Sequence, residues 1–464
     1  MPQFHRTAQH EFYAFFVCCK LRTHSGNLKV ENRMIITKKM RFVVIVLLAV
    51  TMCCCRQDRS NGGIIDSSSS VESLEDSLIQ VQEAGTITNS NKPSVSIYVE
   101  NSGSMYGYVK GYTDFIDVVN KLVYDDDFVK ESVNRKFYFI NGDGQKPNKT
   151  FSDGQAFLGS MNEKGMKSGN YLTSDLNGML KSLLAGANGD TVTILISDGI
   201  YDIGCDNLTK LKSKGQATKS TFIEMLKKNE SIQTMVIKMV SSFDGKYCYA
   251  TNSSSRYIHN QPRPYYIWIF GKGELLKKYF SDEKISKWPG YKNHARFQTI
   301  QKSDLPFVIS GEGRKGEFRN HGKNVLSKCK THHNVFAFSI IVDYETLPYS
   351  DDYLSDTNNY SCDNNFDITS ITKANDISTV SAGVCHYKRP FIITVQTNRK
   401  PLGSVNIKLN NNIPAWIMAT NADDEKNIDS EHTFGFATLM DGVVNAYSAM
   451  SATCPASFSV IFNK

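Results

Sequence analysis

Between residues 94 and about 281, short apolar runs alternate with amphipathic segments. Runs rich in β-branched and aromatic residues lie at 94–99, 136–140, 191–197, 233–240 and 265–270. The segments between them place apolar residues at helical spacing. Strand–helix alternation is typical of a doubly wound sheet with helices on both faces. The sequence therefore predicts an α/β domain over residues 93–285, built on a mostly parallel sheet.

Polar side chains follow the first of these strands directly. Glu100, Ser102 and Ser104 stand at alternate positions in the run Glu100-Asn101-Ser102-Gly103-Ser104. Ligands of open α/β sheets bind where the chain leaves the carboxyl ends of the strands. Carboxylate and hydroxyl oxygens are the hard ligands that Mg²⁺, Ca²⁺ and Mn²⁺ prefer. This turn is therefore a candidate divalent-cation site.

Two further segments carry matching side chains. The strand at residues 191–197 ends in Asp198-Gly199, which supplies a second carboxylate. Between the two strands, Ser174 precedes a segment whose apolar residues share one helical face, and Thr173 is the alternative ligand one residue away. The hydroxyl of Thr173 or Ser174 is also expected to cap that helix.

These three pieces, in this order, resemble the metal-ion-dependent adhesion site of von Willebrand factor A (vWA) domains, whose first motif reads Asp-x-Ser-x-Ser. The resemblance covers residues 93–285 and implies a vWA-like fold. It implies that a divalent cation is held by residues that act directly or through water, namely Glu100, Ser102, Ser104, Ser174 (or Thr173) and Asp198. It also implies that an acidic group of a protein partner completes the coordination shell of the cation.

Glu100 departs from the family pattern, which has aspartate at this position. The extra methylene group moves the carboxylate about 1.5 Å further from the backbone. Mg²⁺ demands strict octahedral geometry, whereas Ca²⁺ tolerates irregular shells. The substitution therefore leaves two alternatives open, a site that still binds a cation and a degenerate site.

The N-terminal region has the pattern of an export signal. The basic run at residues 38–41 precedes the apolar run 42–52 and three cysteines, Cys53 to Cys55. A short apolar run behind a basic patch predicts a secretory signal rather than a membrane span. Residues 34–55 resemble a bacterial lipoprotein signal peptide with Cys53 as the lipidated residue, although Cys54, Cys55 or an uncleaved anchor helix are alternatives.

Segments on either side of this signal are expected to lie outside the folded part. Residues 1–33 precede it, and we expect translation to start at Met34 or Met40. Residues 56–92 are rich in Ser, Gly and Asn and predict a flexible linker. The protein is therefore expected to be lipid-anchored in the bacterial cell envelope, at the outer membrane or the cell surface.

Charge and cysteine content limit the class of partner. Residues 1–52 contribute +6 (eight Lys/Arg against two Asp/Glu) of the total formal charge of +7, which leaves the predicted mature chain at +1. No nucleic-acid partner is expected for a nearly neutral chain. The six cysteines after the signal allow up to three disulfides in an oxidising compartment.

Residues 290–464 have a different character. Short strand-like runs are separated by turn-rich spacers, which favours a β-rich, sandwich-like domain. One helix is predicted from about residue 433 to 449, and we expect its apolar face to pack on a sheet or on the first domain.

The functional expectation is a binding or adhesion-type module rather than an enzyme. A nucleophilic serine needs a neighbouring base, but no histidine lies between residues 94 and 258. A Ser-based hydrolase is thus the least favoured reading. The remaining alternative is a structural scaffold with a degenerate metal site.

Overall fold

The computed structural model describes residues 92–132, 134–187, 190–204, 207–301, 304–322, 324–374, 384, 386–426, 428–451 and 454–464. The predicted upstream segment, the signal peptide with Cys53 and the linker up to residue 91 lie outside the described residues. In the described part, no helix has the length and apolar character needed to cross a membrane. The four cysteines in that part, Cys248, Cys329, Cys362 and Cys454, are free thiols.

A seven-stranded sheet forms the first part of the fold. Its strands are β1 (Ser94–Glu100), β2 (Arg135–Ile140), β3 (Lys149–Phe151), β4 (Thr191–Ser197), β5 (Ile232–Cys248), β6 (Ser255–Lys272) and β7 (Tyr291–Phe297). Their spatial order is β3-β2-β1-β4-β6-β5-β7. The seventh strand lies beyond the predicted domain end at residue 285, so the sheet continues into the region expected to form the C-terminal domain.

The sheet is mixed, and the prediction of a mostly parallel sheet is wrong. Parallel pairing is confined to β1 with β2 and β4, whereas β3, β6 and β7 run antiparallel to their neighbours. The physical reason lies in residues 241–262, which form the far ends of a long β5–β6 hairpin instead of a crossover. A hairpin connection forces its two strands to be antiparallel.

Helices cover both faces of this sheet. They are α1 (Asp114–Tyr124), α2 (Asp126–Glu131), α3 (Gly154–Gly159), α4 (Glu163–Met166), α5 (Leu176–Ala185), α6 (Leu208–Lys228), α7 (Gly273–Tyr279) and α8 (Asp282–Ile285). Helices α1, α3 and α7 pack on one face, and α5 and α6 pack on the other. The sheet is buried on both faces, as the nearly continuous apolar sequence of β4 requires. This part of the molecule is therefore a mixed α/β fold.

The remaining strands form two larger sheets and one small pair. A five-stranded sheet has the order β12-β15-β18-β10-β9, a four-stranded sheet has the order β13-β14-β11-β8, and β16 pairs with β17. Their bounds are β8 (Phe307–Lys315), β9 (Glu317–Asn320), β10 (Val325–Lys330), β11 (Phe336–Asp343), β12 (Tyr360–Cys362), β13 (Asp367–Lys373), β14 (Pro390–Thr397), β15 (Gly403–Leu409), β16 (Asn421–Ala422), β17 (Thr433–Phe434) and β18 (Ala456–Asn463). The two larger sheets share one hydrophobic core.

Three helices accompany these strands: α9 (Asp351–Ser355), α10 (Ala415–Thr420) and α11 (Phe436–Met450). The apolar face of α11 packs against α6 and joins the core on one face of the seven-stranded sheet. Gly215 of α6 and Gly442 of α11 lie at the contact, where a Cβ on Gly442 would sit 2.6 Å from the Gly215 carbonyl oxygen. The predicted C-terminal helix thus completes the first part of the fold.

Candidate functional site

Two carboxylates lie side by side where β1 and β4 end. The register pairs Val99 of β1 with Ile196 of β4, so Glu100 and Asp198 leave the sheet at the same edge. Both side chains are buried, with 3% and 4% of their surfaces exposed, respectively. The parallel pairing of these two strands is what brings the two acids together, because parallel strands end at the same edge.

The serines of the first motif connect to Asp198. A 3₁₀ helix, Gly103–Val109, begins immediately after Ser102. The hydroxyl oxygens of Ser102 and Ser104 lie 3.1 Å apart, and the Ser104 hydroxyl donates to Asp198 Oδ2 at 2.5 Å. The tight helical turn therefore aims the Ser104 hydroxyl at Asp198 and holds the Ser102 hydroxyl beside it.

Ser174 contacts the first carboxylate. Its hydroxyl donates to Glu100 Oε1 at 2.5 Å, whereas the Thr173 side chain is exposed and its carbonyl accepts from Gly142 N. The predicted helix cap is wrong: Asp175 is the N-cap residue of α5, and it makes no side-chain capping bond. The Ser174 hydroxyl is directed at Glu100, and the helix begins one residue later than expected, with Asp175 at the N-cap position.

The glycine after Asp198 is required by the local backbone. Gly199 has φ +69°, and a Cβ there would lie 2.4 Å from the Tyr266 ring. Both the positive φ and the nearby Tyr266 ring disfavour a residue with a side chain at this position. The main chain can therefore turn sharply after Asp198, and the Ile200 backbone N–H donates back to Asp198 Oδ1 at 3.1 Å.

Burial without an ion pair sets the electrostatics of the two carboxylates. Removal from water and, to a smaller extent, the neighbouring Asp198 charge raise the pKa of Glu100 to about 7, although hydrogen bonds from serines oppose the shift. Burial also raises the pKa of Asp198, and the bond from Ser104 opposes that shift. Among the described residues neither carboxylate forms an ion pair, which is the environment that a bound cation would stabilise.

The donor set fits a hard divalent cation. It consists of two carboxylates and three hydroxyls, and both carboxylates are desolvated. Across the part of the chain that the structure describes, no group of three or more His, Cys, Asp or Glu side chains is placed to hold a metal ion. Serine hydroxyls would therefore have to provide much of the coordination.

Arg263 is a neighbour that sequence reasoning missed. Its guanidinium is buried, donates to the Asp429 carbonyl and lies 4.9 Å from the centre of the Tyr247 ring. Its charge contributes to lowering the pKa of Asp198. Arg263 stands on β6 in the β5–β6 hairpin, and no motif in the sequence pointed to it.

A group of asparagines joins residues 141–170 to the end of β1 by hydrogen bonds. The Asn101 amide donates to the Met166 carbonyl at 2.7 Å and receives a bond from the Asn148 amide at 2.8 Å. Asn141 donates to the Ser168 carbonyl at 2.7 Å. These bonds fix residues 141–170 against the end of β1, and that segment leads directly to Ser174.

The loop after Asp198 is held by the C-terminal part of the chain. The Ala250 carbonyl accepts from the backbone N–H groups of Ile203 and Gly204. Buried Glu425 in turn accepts from Ala250 N at 2.9 Å and from the Tyr247 hydroxyl at 2.9 Å. Two more bonds reach Glu425 from the backbone N–H and the hydroxyl of Thr251.

Comparison with known proteins yields no relative: no family model, curated protein or solved structure matches the chain. The function must therefore be argued from the site itself. None of the three serine hydroxyls has a histidine among its hydrogen-bond partners in the described residues. The arrangement suits cation binding better than nucleophilic chemistry.

Proposed function

We propose that residues 93–297 form a vWA-like domain whose site binds a divalent cation and, through it, an acidic group of a protein partner. Ser102, Ser104 and Ser174 would contact the cation, and Glu100 and Asp198 would act directly or through water. Attachment to the bacterial envelope through a lipid on Cys53 is part of the same proposal and rests on the sequence pattern alone.

One observation carries the proposal. Side chains from three separated segments, at residues 100–104, 174 and 198, lie together where β1 and β4 end, in two hydrogen-bonded groups that each contain one carboxylate, Ser102–Ser104–Asp198 and Ser174–Glu100. The strands that lead to the two carboxylates, β1 and β4, belong to the parallel part of the sheet. The antiparallel strands that depart from the expected architecture lie outside this parallel part, β3 beyond β2 on one side and β6, β5 and β7 beyond β4 on the other.

The test is calorimetric titration of purified residues 56–464 with Mg²⁺, Ca²⁺ and Mn²⁺. We expect one cation to bind per chain and Ser104→Ala to weaken binding at least tenfold, because that hydroxyl links two of the ligands. Ser361→Ala is the matched control, since Ser361 is an exposed serine on β12. Wild-type protein that binds none of the three cations would contradict the proposal.

A second candidate is a scaffold with a degenerate site, and one observation favours it. Each carboxylate already accepts a 2.5 Å hydrogen bond from a serine, so the cluster closes on itself without a cation. Glu100→Asp distinguishes the two, because a shorter side chain reopens space between Glu100 and Ser174. If only Glu100→Asp binds Mn²⁺, the wild-type protein is the scaffold.

A further inference from the structure

Four turns lie at the same end of the two larger sheets of the C-terminal region. In the four-stranded sheet, Lys315 at the end of β8 pairs with Ala337 of β11, and Asp367 at the start of β13 pairs with Gln396 of β14. In the five-stranded sheet, the last residue of β10 pairs with the first residue of β9, and β15 begins beside the end of β18. We call these turns the basic end: residues 314–317, 328–335, 363–367 and 398–403.

The basic end is positively charged and exposed. It contains six Lys and Arg residues against three Asp and Glu residues, which gives a formal charge of +3. Its basic residues are all exposed to solvent: Arg314, Lys315, Lys328, Lys330, Arg399 and Lys400. The predicted mature chain carries only +1 in total, so this charge is concentrated locally and favours a partner of negative charge.

Most of these positive charges have no acidic partner. Among the described residues, Lys330 is the one of the six that forms an ion pair, with Glu317 at 3.3 Å. The Lys315 ammonium donates instead to the neutral amide oxygen of Gln396 at 3.1 Å. At the opposite end of the same sheets, three basic side chains are each paired with an acid: Lys373, Lys388 and Arg389. The charge of the basic end is therefore available to an external partner.

An exposed apolar side chain stands among these charges. Leu402 is 65% exposed and follows Arg399 and Lys400 in a turn where Gly403 has φ +73°. Single exposed apolar residues are ordinary on protein surfaces, but positive charge around an apolar side chain matches a surface with anionic headgroups above acyl chains. Phe366 of the basic end is buried, so these turns expose no Phe, Tyr or Trp ring on which nucleic-acid bases could stack.

We propose that the basic end binds the surface of an anionic phospholipid membrane. Its Lys and Arg side chains would contact the lipid phosphates, and Leu402 would enter the boundary between headgroups and acyl chains. This inference goes beyond the proposed function, because it requires neither the cation nor a lipid on Cys53.

Sedimentation of purified residues 56–464 with lipid vesicles in EDTA tests this inference. The purified chain lacks Cys53, and EDTA removes any divalent cation, so neither part of the proposed function contributes. We expect binding to vesicles of phosphatidylcholine and phosphatidylglycerol in a two-to-one ratio to be at least tenfold tighter than binding to phosphatidylcholine alone, and to weaken as salt screens the charges. Equal binding to both vesicles, or no binding at low salt, would overturn the inference.

Removal of three charges should weaken binding to the mixed vesicles at least tenfold. The variant combines Lys315→Gln, Arg399→Gln and Lys400→Gln. Its matched control removes three exposed lysines of α5 and α6 that form no ion pair within the described part of the chain: Lys181→Gln, Lys227→Gln and Lys228→Gln. Unchanged thermal unfolding shows that both variants fold. An equal loss of binding in the two variants would overturn the inference, because binding would then depend on net charge alone.

The apolar contact has its own variant. Leu402→Ser should weaken binding severalfold without changing its salt dependence, whereas Met418→Ser, which changes a 54% exposed residue of α10, should leave binding unchanged. A Leu402→Ser protein that binds like wild type would overturn the inference.

Two further measurements separate lipid from other anions. A labelled single-stranded oligonucleotide that binds more tightly than the vesicles, and loses binding in the Lys315, Arg399 and Lys400 variant, would assign the basic end to nucleic acid and overturn the inference. Sodium phosphate that releases vesicle-bound protein more effectively than sodium chloride of equal ionic strength would indicate a site for free phosphate and overturn it as well. The cation titration of residues 56–464 tests the proposed function separately, so either proposal can fail while the other stands.

Discussion

Glu100 holds a carboxylate in a buried position where its charge is poorly compensated. Burial and the adjacent Asp198 raise its pKa from an ordinary 4.5 to about 7. In the folded protein this group therefore keeps its proton over a pH range in which the unfolded chain releases it. The folded state binds more protons than the unfolded state between pH 4.5 and 7, so stability falls as the pH rises through that window.

We expect the free energy of unfolding in EDTA to decrease by about 3 kcal/mol between pH 4.5 and pH 8 through this single group. Glu100→Gln, which cannot ionise, should abolish that part of the decrease and be the more stable protein at pH 8. Urea unfolding at both pH values measures this. A bound cation replaces the proton, so Mn²⁺ should restore wild-type stability at pH 8 and bind more weakly below pH 7.

Exposed Glu224 of α6 provides the control, because Glu224→Gln changes the same chemical group outside the site. Parallel pH profiles for wild type and Glu100→Gln would show that the Glu100 carboxylate does not hold its proton in the folded state.

Individual site residues were predictable where they stand at strand ends. Glu100 and Asp198 follow apolar strands, and their proximity follows once those strands pair in parallel. Arg263 was not, because the antiparallel β5–β6 hairpin that places it beside the site was not predicted. The sequence favoured Ser174 and kept Thr173 as the alternative, and the structure places the Ser174 hydroxyl on Glu100 while the Thr173 side chain is exposed.

At the level of elements, the contact between α6 and α11 depends on small residues. A Cβ on Gly442 would meet the Gly215 carbonyl oxygen at 2.6 Å and the Thr218 Cβ at 2.9 Å. Glycines at such positions let two helix backbones approach closely, whereas added volume in a packed contact forces a backbone shift.

Gly442→Ala should therefore destabilise the protein by about 1–3 kcal/mol, although alanine is the better helix former. Gly159→Ala at the end of α3 is the control, since no atom lies within 4 Å of its added Cβ. Thermal unfolding compares the two variants. A Gly442→Ala protein as stable as wild type would mean that α6 and α11 can move apart slightly without lowering the free energy of unfolding.

The main helices and strands could be predicted from their apolar periodicity, and α11 lies close to its expected range. Whether neighbouring strands pair in parallel or antiparallel could not be predicted in this way. Residues 241–248 alternate in burial along β5, but residues 255–262 of β6 are exposed except for Ile258, so the hairpin as a whole carries no clear strand pattern. The prediction of a mostly parallel sheet failed for this reason. In the sequence, two strands joined by a long hairpin cannot be told from two strands joined by a crossover when the hairpin itself is not recognised.

At the level of the whole molecule, residues 421–435 join the C-terminal part of the chain to the candidate site. Lys238 is buried and donates to Thr420 Oγ1 and the Glu431 carbonyl. The Phe434 carbonyl accepts from Tyr201 N, three residues after Asp198. Glu425 secures the turn that holds Ile203 and Gly204. The loop carrying Asp198 is thus positioned by residues more than two hundred positions later.

Glu425→Ala should lower the free energy of unfolding by about 2–4 kcal/mol, because it leaves buried donors unsatisfied. It should also weaken Mn²⁺ binding and speed amide hydrogen exchange at residues 200–204. Asp423→Ala, at an exposed neighbouring position, is expected to change none of these. Unchanged exchange at residues 200–204 in Glu425→Ala would show that the loop keeps its position without this support.

Because α11, at Phe436–Met450, covers one face of the first sheet, that face stays uncovered until this late helix has been synthesised. A premature stop codon anywhere between residues 298 and 435 would leave Phe222, Phe270 and their neighbours bare to solvent. We expect proteases to degrade such truncated chains. Nonsense alleles across this interval should behave as complete nulls.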